Sequence, residues 1–209
     1  DAAATPRRVV ALIATSTAAS YIPQGLFFAL VCLRHDLPTP RLLLFLGVSA
    51  GYHVLFLLGL LLVRREFSLE RDGSLLTRIN FPLVLSFVRF SSIPTVIFLF
   101  LARTEVPVPR VLAPFLAFIF LTDLFDGILA RRLKMTTHIG RILDASGDYV
   151  LIVMLSALLV SARLIPPWLL VLVLVRLLVQ AVGIMVLYFL HGYSVLRLSF
   201  LGKASIFAV

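Results

Sequence analysis

Cysteine is almost missing from this chain. Cys32 stands alone among 209 residues, so no disulfide can form within it and no cysteine-pair zinc site is available. Histidine is sparse, and His35, His53, His138 and His191 have no zinc-like spacing. Acid is sparse as well: ten Asp and Glu stand against nineteen Lys and Arg. Internal repeats and low-complexity tracts are missing, and so is the strict apolar–polar alternation of a membrane barrel strand. What the chain has in excess is hydrophobicity, at 61% with a mean hydropathy of +1.08. A soluble domain is nearer half apolar.

That excess falls in runs of bilayer-spanning length, about twenty residues each. The expected fold class is therefore all-α: a polytopic transmembrane helical bundle. Six spans are expected, near 9–33, 42–63, 81–102, 109–130, 142–162 and 167–190, with residues 200–209 opening a seventh. Pro23 and Gln24 weaken the first. The polar stretch 66–79 carries Phe67, Leu69, Leu75 and Leu76 and reads as an amphipathic segment on the membrane surface. The chain begins at Asp1 and ends in "GKASIFAV", so a trimmed fragment is expected; the opening apolar run is long for a signal peptide. Residues 1–65 form an N-terminal pair of helices, and the residues that suggest chemistry all follow 66–79.

The formal charge of +9 reflects basic residues that flank spans and meet anionic headgroups, so no nucleic acid partner is expected. With the N-terminus in the cytoplasm, twelve Lys and Arg flank spans inside and five flank them outside. This arrangement satisfies the positive-inside rule and makes the loop after residue 132 cytoplasmic.

Four of the few acids are concentrated on two consecutive spans. Asp123 and Asp126 are three residues apart, and Asp144 and Asp148 four. Each pair shares a face of its own helix, and a short loop joins the helices, so the pairs can face each other. At about 5 Å and an effective dielectric of about 20, each like-charge pair costs about 3 kcal/mol. Arg131 and Arg141 offset part of that, and divalent cations would offset more. Gly127 and Gly140 let backbones approach and leave room for a ligand. An all-oxygen donor set of this kind selects Mg²⁺ or Mn²⁺, and two such ions suit phosphoryl chemistry.

Asp123, Asp126-Gly127, Ala130-Arg131, Gly140, Asp144 and Asp148 resemble, at their fixed spacing, the signature of the CDP-alcohol phosphotransferase family. "NFPLVLSFVR" resembles the entry to that family's first core helix through Asn80, Pro82 and Arg89. Ser86 stands where Thr is usual, and Leu83 stands where a second Asn is common. "LGK" at 201–203 resembles the start of the fifth core helix. The resemblance implies a six-helix core over 80–209, incomplete at its C-terminal end and preceded by two extra helices. It also implies transfer of a phosphatidyl group from CDP-diacylglycerol, or a similar CDP-linked donor, to a small alcohol with release of CMP.

By position, Asp123, Asp126, Asp144 and Asp148 would hold two Mg²⁺ or Mn²⁺ ions, and Asp148 would also serve as catalytic base. Donor binding would fall to Asn80, Pro82, Ser86, Asp123, Gly127, Ala130, Arg131 and Gly140. Acceptor binding would fall to Arg89, Arg176, Arg197 and Lys203, with Arg89 open between lining the site and pairing with a carboxylate. Membrane lipids and a homodimer complete the implied partners, and the site lies at the cytoplasmic face. The resemblance is closest to CDP-diacylglycerol enzymes such as phosphatidylglycerophosphate synthases. Those usually show Pro after the third Asp and Lys after the fourth, where this chain has Ala145 and Tyr149. The acceptor is thus open among glycerol 3-phosphate (the first choice), an inositol phosphate, serine and other alcohols; transfer from CDP-choline or CDP-ethanolamine to diacylglycerol is an alternative. A reading of another class is a divalent-cation transporter, although the broken helices and repeated halves of that class are not evident.

Overall fold

The computed structural model describes residues 6–70, 73–133 and 135–191. Within its helices the side chains of Pro6, Val108, Pro109, Asp123, Asp126, Ala130, Arg131, Ala181 and residues 184–191 lie outside the description. The helices are α1 (Pro6–Arg34), α2 (Thr39–Leu62), α3 (Phe81–Ser91), α4 (Ile93–Leu101), α5 (Val108–Arg132), α6 (His138–Ser161) and α7 (Pro167–His191). No strand occurs among the described residues, only two isolated β-bridges. Among the described residues, five stretches are long and apolar enough to cross a membrane: Arg7–Arg34, Thr39–Leu62, Phe81–Leu101, Arg110–Leu129 and His138–Ser161. The protein is an all-α integral membrane bundle. The start of a seventh span lies outside the described residues.

The chain divides into two compact units, 1–148 and 149–209. In the first, α3 and α4 are the central rod. Their joint span is 72% buried, whereas the spans of α1, α2 and α5 are between 17% and 33% buried. The rest of each outer span presents Leu, Val and Phe outward, as Leu43, Leu55 and Leu62 of α2 do, which suits a lipid surround. Phe28, Phe45 and Phe98 interlock α1, α2 and α4, with ring centroids 4.2–5.7 Å apart.

The expected third span is two helices with a break at Ser92. Pro94, in the first turn of α4, has no N–H to give the carbonyl of Phe90 four residues earlier. The hydroxyl of Tyr52 on α2 donates to that carbonyl instead, at 3.0 Å. A buried polar seam surrounds the break. His53 Nε2 lies 2.6 Å from the Ser91 hydroxyl, which donates to the carbonyl of Ser20 at 2.8 Å. Gln24 donates to Ser92 Oγ and accepts from Thr95 Oγ1, at 3.2 and 2.7 Å. The expected weak point of α1 is thus an anchor: the helix runs through Pro23 unbroken, and Gln24 fastens it to α4.

Between α2 and α3 the chain forms a strap. A 3₁₀ turn, Arg64–Glu66, leads to Phe67 and Leu76, which are buried against the protein; Leu69 and Leu75 are half-buried. Single bridges pair Ser68 with Leu75 and Leu69 with Thr137. In the second unit, Gln180 of α7 donates to the Tyr149 hydroxyl at 2.6 Å, and a turn with Arg163 at φ 59° joins the two helices.

Candidate active site

The site starts with the caps that fix three helix ends around one hollow. Asn80 caps α3: its Oδ1 accepts from the Leu83 N–H at 3.2 Å, and its Nδ2 donates to the Met135 carbonyl at 2.7 Å. One side chain thereby ties the start of α3 to the loop after α5. Thr137 opens α6, its hydroxyl accepting from the Gly140 N–H at 3.0 Å, the bond an N-cap makes to the third helical residue. The strap holds this loop from the other side. Glu70 N–H donates to the Thr136 carbonyl at 3.1 Å, His138 N–H donates to the Ser68 carbonyl at 3.2 Å, and the Arg141 guanidinium pairs with the Glu70 carboxylate.

The hollow has a volume of about 240 Å³. Pro82, Leu83 and Ser86 of α3, Gly127 of α5, and Gly140, Arg141 and Asp144 of α6 line it, with Met135, Thr136 and Thr137 from the loop and Glu70 from the strap. Five of the residues singled out in the sequence (Pro82, Ser86, Gly127, Gly140, Asp144) therefore share one pocket. Asn80 is not in its lining; it serves as cap and tie. Gly140 has a structural reason as well as room for a ligand: a Cβ there would lie 2.8 Å from Thr137 Oγ1.

Arg89 reaches α6 from α3. Its guanidinium is 3.5 Å from Asp144 Oδ1 and 3.9 Å from Asp148 Oδ1, and it donates to the Leu143 carbonyl at 3.3 Å. The Arg89 side chain is 1% exposed, while those of Asp144 and Asp148 are 44% and 59% exposed. Arg89 thus stands as one cation between two acids a helical turn apart. Gly147 makes this possible. A Cβ at 147 would stand 2.7 Å from Arg89 Nη2 and 2.8 Å from Cζ, so the guanidinium lies against bare backbone.

Asp123 and Asp126 lie on α5, with Gly127, the next residue, at the pocket; their side chains, and those of Ala130 and Arg131, lie outside the described residues. Among the described residues no group of three or more His, Cys, Asp or Glu is placed to hold a metal ion. Arg176 is on α7 in the second unit with an exposed side chain. Arg197 and Lys203 lie outside the described residues. Sequence reasoning missed Glu70, Thr137 and Gly147. Thr137 had a signal, a Thr just ahead of a periodic apolar run; the other two are visible only once the strap and Arg89 are placed.

Residues 79–209 match the family described as CDP-alcohol phosphatidyltransferase. The chain belongs to this family. A cardiolipin synthase (CMP-forming) of Streptomyces coelicolor is 33% identical over 134 residues, which cover 62% of this chain and 60% of that protein. The chain thus spans about 60% of the length of the curated relative it matches. No solved structure matches it. The family region begins just ahead of the Asn80 cap, so α1, α2 and nearly all of the strap precede it, while the whole pocket apart from Glu70 falls inside it.

Proposed function

We propose that this CDP-alcohol phosphatidyltransferase moves a phosphatidyl group from CDP-diacylglycerol to the hydroxyl of an alcohol and releases CMP. The observation that carries the reading is that Gly127 and Asp144 line one pocket, which supports the acidic segments of α5 and α6 serving one ligand. A volume of about 240 Å³ is below the ~300–1,000 Å³ usual for whole small-molecule sites. It suits a headgroup whose acyl chains stay in the bilayer.

In this reaction the acceptor oxygen bonds to the phosphatidyl phosphorus. The bond from that phosphorus to the bridging oxygen breaks, and CMP leaves with the electron pair. The acceptor's proton goes to a base, which we assign to Asp148, exposed enough to meet a hydroxyl. Arg89 sets the direction of Asp144 and Asp148 by pairing with both. Pro82, Ser86, Gly127 and Gly140 would shape the donor site, with Asn80, Asp123, Ala130 and Arg131 joining them by family likeness.

The donor set fits divalent ions in its chemistry: Asp144 and Asp148 are partly exposed, and Asp123 and Asp126 add two more carboxylates in the α5 segment that leads into Gly127. These four residues would hold two Mg²⁺ or Mn²⁺ ions, which when bound neutralise pyrophosphate charge. We place the site at the cytoplasmic face from the basic residues flanking the spans, and we read a homodimer from family likeness.

For the acceptor, the relative's name favours a lipid-borne hydroxyl, as in cardiolipin formation; glycerol 3-phosphate is the second reading, from the likeness to phosphatidylglycerophosphate synthases. The test is release of labelled CMP from CDP-diacylglycerol with Mg²⁺ or Mn²⁺, offering phosphatidylglycerol, glycerol 3-phosphate, inositol phosphate and serine in parallel. Turnover with one acceptor, lost in EDTA and restored by Mn²⁺, is expected. Metal flux into vesicles without CMP release would favour a transporter and sink the proposal.

A further inference from the structure

Between α1 and α5 lies a second hollow, about 580 Å³ in volume. Its walls are apolar: Phe27, Leu30 and Val31 from α1, and Val111, Phe115 and Phe118 from α5. Phe27 and Phe115 stack across it with ring centroids 4.7 Å apart. On α1, positions 27, 30, 31 and 34 share one helical stripe, and so do 111, 115 and 118 on α5. One end of this greasy trough is basic, with Arg34 at the last turn of α1, His35 just beyond it and Arg110 in the first turn of α5 all in the lining.

Three observations point to an anion at that end. First, the two nearby acids do not neutralise it. Glu105 pairs with Arg41, and among the described residues neither Arg34 nor Arg110 is in an ion pair with Asp36 or any other acid. Second, Arg110 sits in the first turn of α5, where a cation opposes the helix dipole and an anion is favoured. Third, the end is held firm: Leu37 N–H donates to the Cys32 carbonyl at 2.9 Å, and Val106 N–H donates to the Ala102 carbonyl at 2.8 Å. The Arg41–Glu105 pair joins these two turns.

Apolar walls running into a cationic end match one kind of molecule, with a chain to lie between Phe27 and Phe118 and a phosphate to meet Arg34 and Arg110. We propose that the α1/α5 groove binds an anionic glycerophospholipid from the leaflet opposite the aspartates. Arg110 and Asp126 are sixteen residues apart on α5, about 24 Å at ~1.5 Å per residue, most of the ~30 Å hydrocarbon thickness. On α5 the nearest lining residues of the two hollows, Phe118 and Gly127, are nine residues apart, about 13.5 Å at ~1.5 Å per residue, and the two share no lining residue. The groove uses α1, which precedes the family region, and so gives the added helices a ligand of their own.

The test uses the full chain in neutral detergent, equilibrated with equal parts dioleoyl phosphatidylglycerol and dioleoyl phosphatidylcholine, with bound lipid counted by native mass spectrometry. The expected result is loss of one phosphatidylglycerol per chain in Arg34→Gln/Arg110→Gln, and the same loss in Leu30→Trp, which fills the trough without touching charge. Leu30 is 64% exposed and both arginines are exposed, so the fold should tolerate these changes; lipid held at the donor pocket is common to all variants and cancels. An unchanged phosphatidylglycerol count in either variant overturns the proposal. So does equal loss of phosphatidylcholine in the arginine variant, or displacement by inorganic phosphate. A dimeric mass that only Leu30→Trp abolishes would make the occupant a second copy, and would also overturn it.

Discussion

Helix α3 carries polar groups toward two regions and uses them in opposite ways. At the seam, Ser91, Ser92, His53, Gln24 and Thr95 are all buried, at 5% exposure or less. They are uncharged or weakly basic, and each spends its hydrogen-bonding capacity on a neighbour. At the corner, two residues before Ser91, buried Arg89 meets two acids that remain 44% and 59% exposed. A polar group satisfied within the fold holds helices together and has little left for a ligand. A charge that is paired on one side and exposed on the other keeps capacity for chemistry.

The sharpest way to break this contrast is Asp148→Asn. If the corner is for chemistry, CMP release should fall by about 10²-fold or more, the scale of a lost general base. Thermal unfolding should barely change, because Arg89 keeps Asp144. Full turnover in this variant would make the corner another piece of scaffold. Gly147→Ala tests the same corner from beneath. Its methyl group would press on the guanidinium at 2.7 Å, an overpacking cost of about 1–3 kcal/mol, and turnover should drop with stability because Arg89 must leave its two acids.

His53→Leu attacks the seam. It removes a partner from the fully buried Ser91 hydroxyl, which should cost about 1–3 kcal/mol, read as a lower unfolding temperature. Turnover per folded molecule should hold. A fall in turnover at unchanged stability would mean that α1 and α2 act on the site through α3, and the division between scaffold and chemistry would fail.

The corner was more legible in sequence than the seam. Acids inside apolar runs are conspicuous because each is costly there, and their i, i+3 and i, i+4 spacing assigns them to helix faces. Pro82, Ser86 and Gly127 came from the family pattern, and the pocket collects them. The seam was hidden because Ser, Thr, Gln and His cost little in a span and carry no periodic signature. Gln24 read as a flaw in α1, and His53 read as nothing. The break at Ser92 was masked by unbroken hydrophobicity on both sides, although Pro94 marks it. Glu70 and Gly147 depend on contacts between segments far apart in sequence, 71 residues for Glu70 with Arg141, which no local pattern encodes.

The smallest expected effect concerns Gly140, where a ligand-room reading and a capping reading compete. Alone, Gly140→Ala should be close to neutral: its Cβ would force Thr137 Oγ1 away from 2.8 Å, losing about 1 kcal/mol of N-cap, while Ala regains about 1 kcal/mol over Gly inside a helix. In a Thr137→Ala background that oxygen is gone. The same Gly140→Ala change should then stabilise by about 1 kcal/mol, the preference for Ala over Gly inside a helix. The coupling in this double-mutant cycle, read by thermal unfolding, isolates the cap. If Gly140→Ala lowers donor affinity equally in both backgrounds, the missing side chain serves the pocket (which Gly140 also lines), and this glycine belongs with the chemistry of the corner.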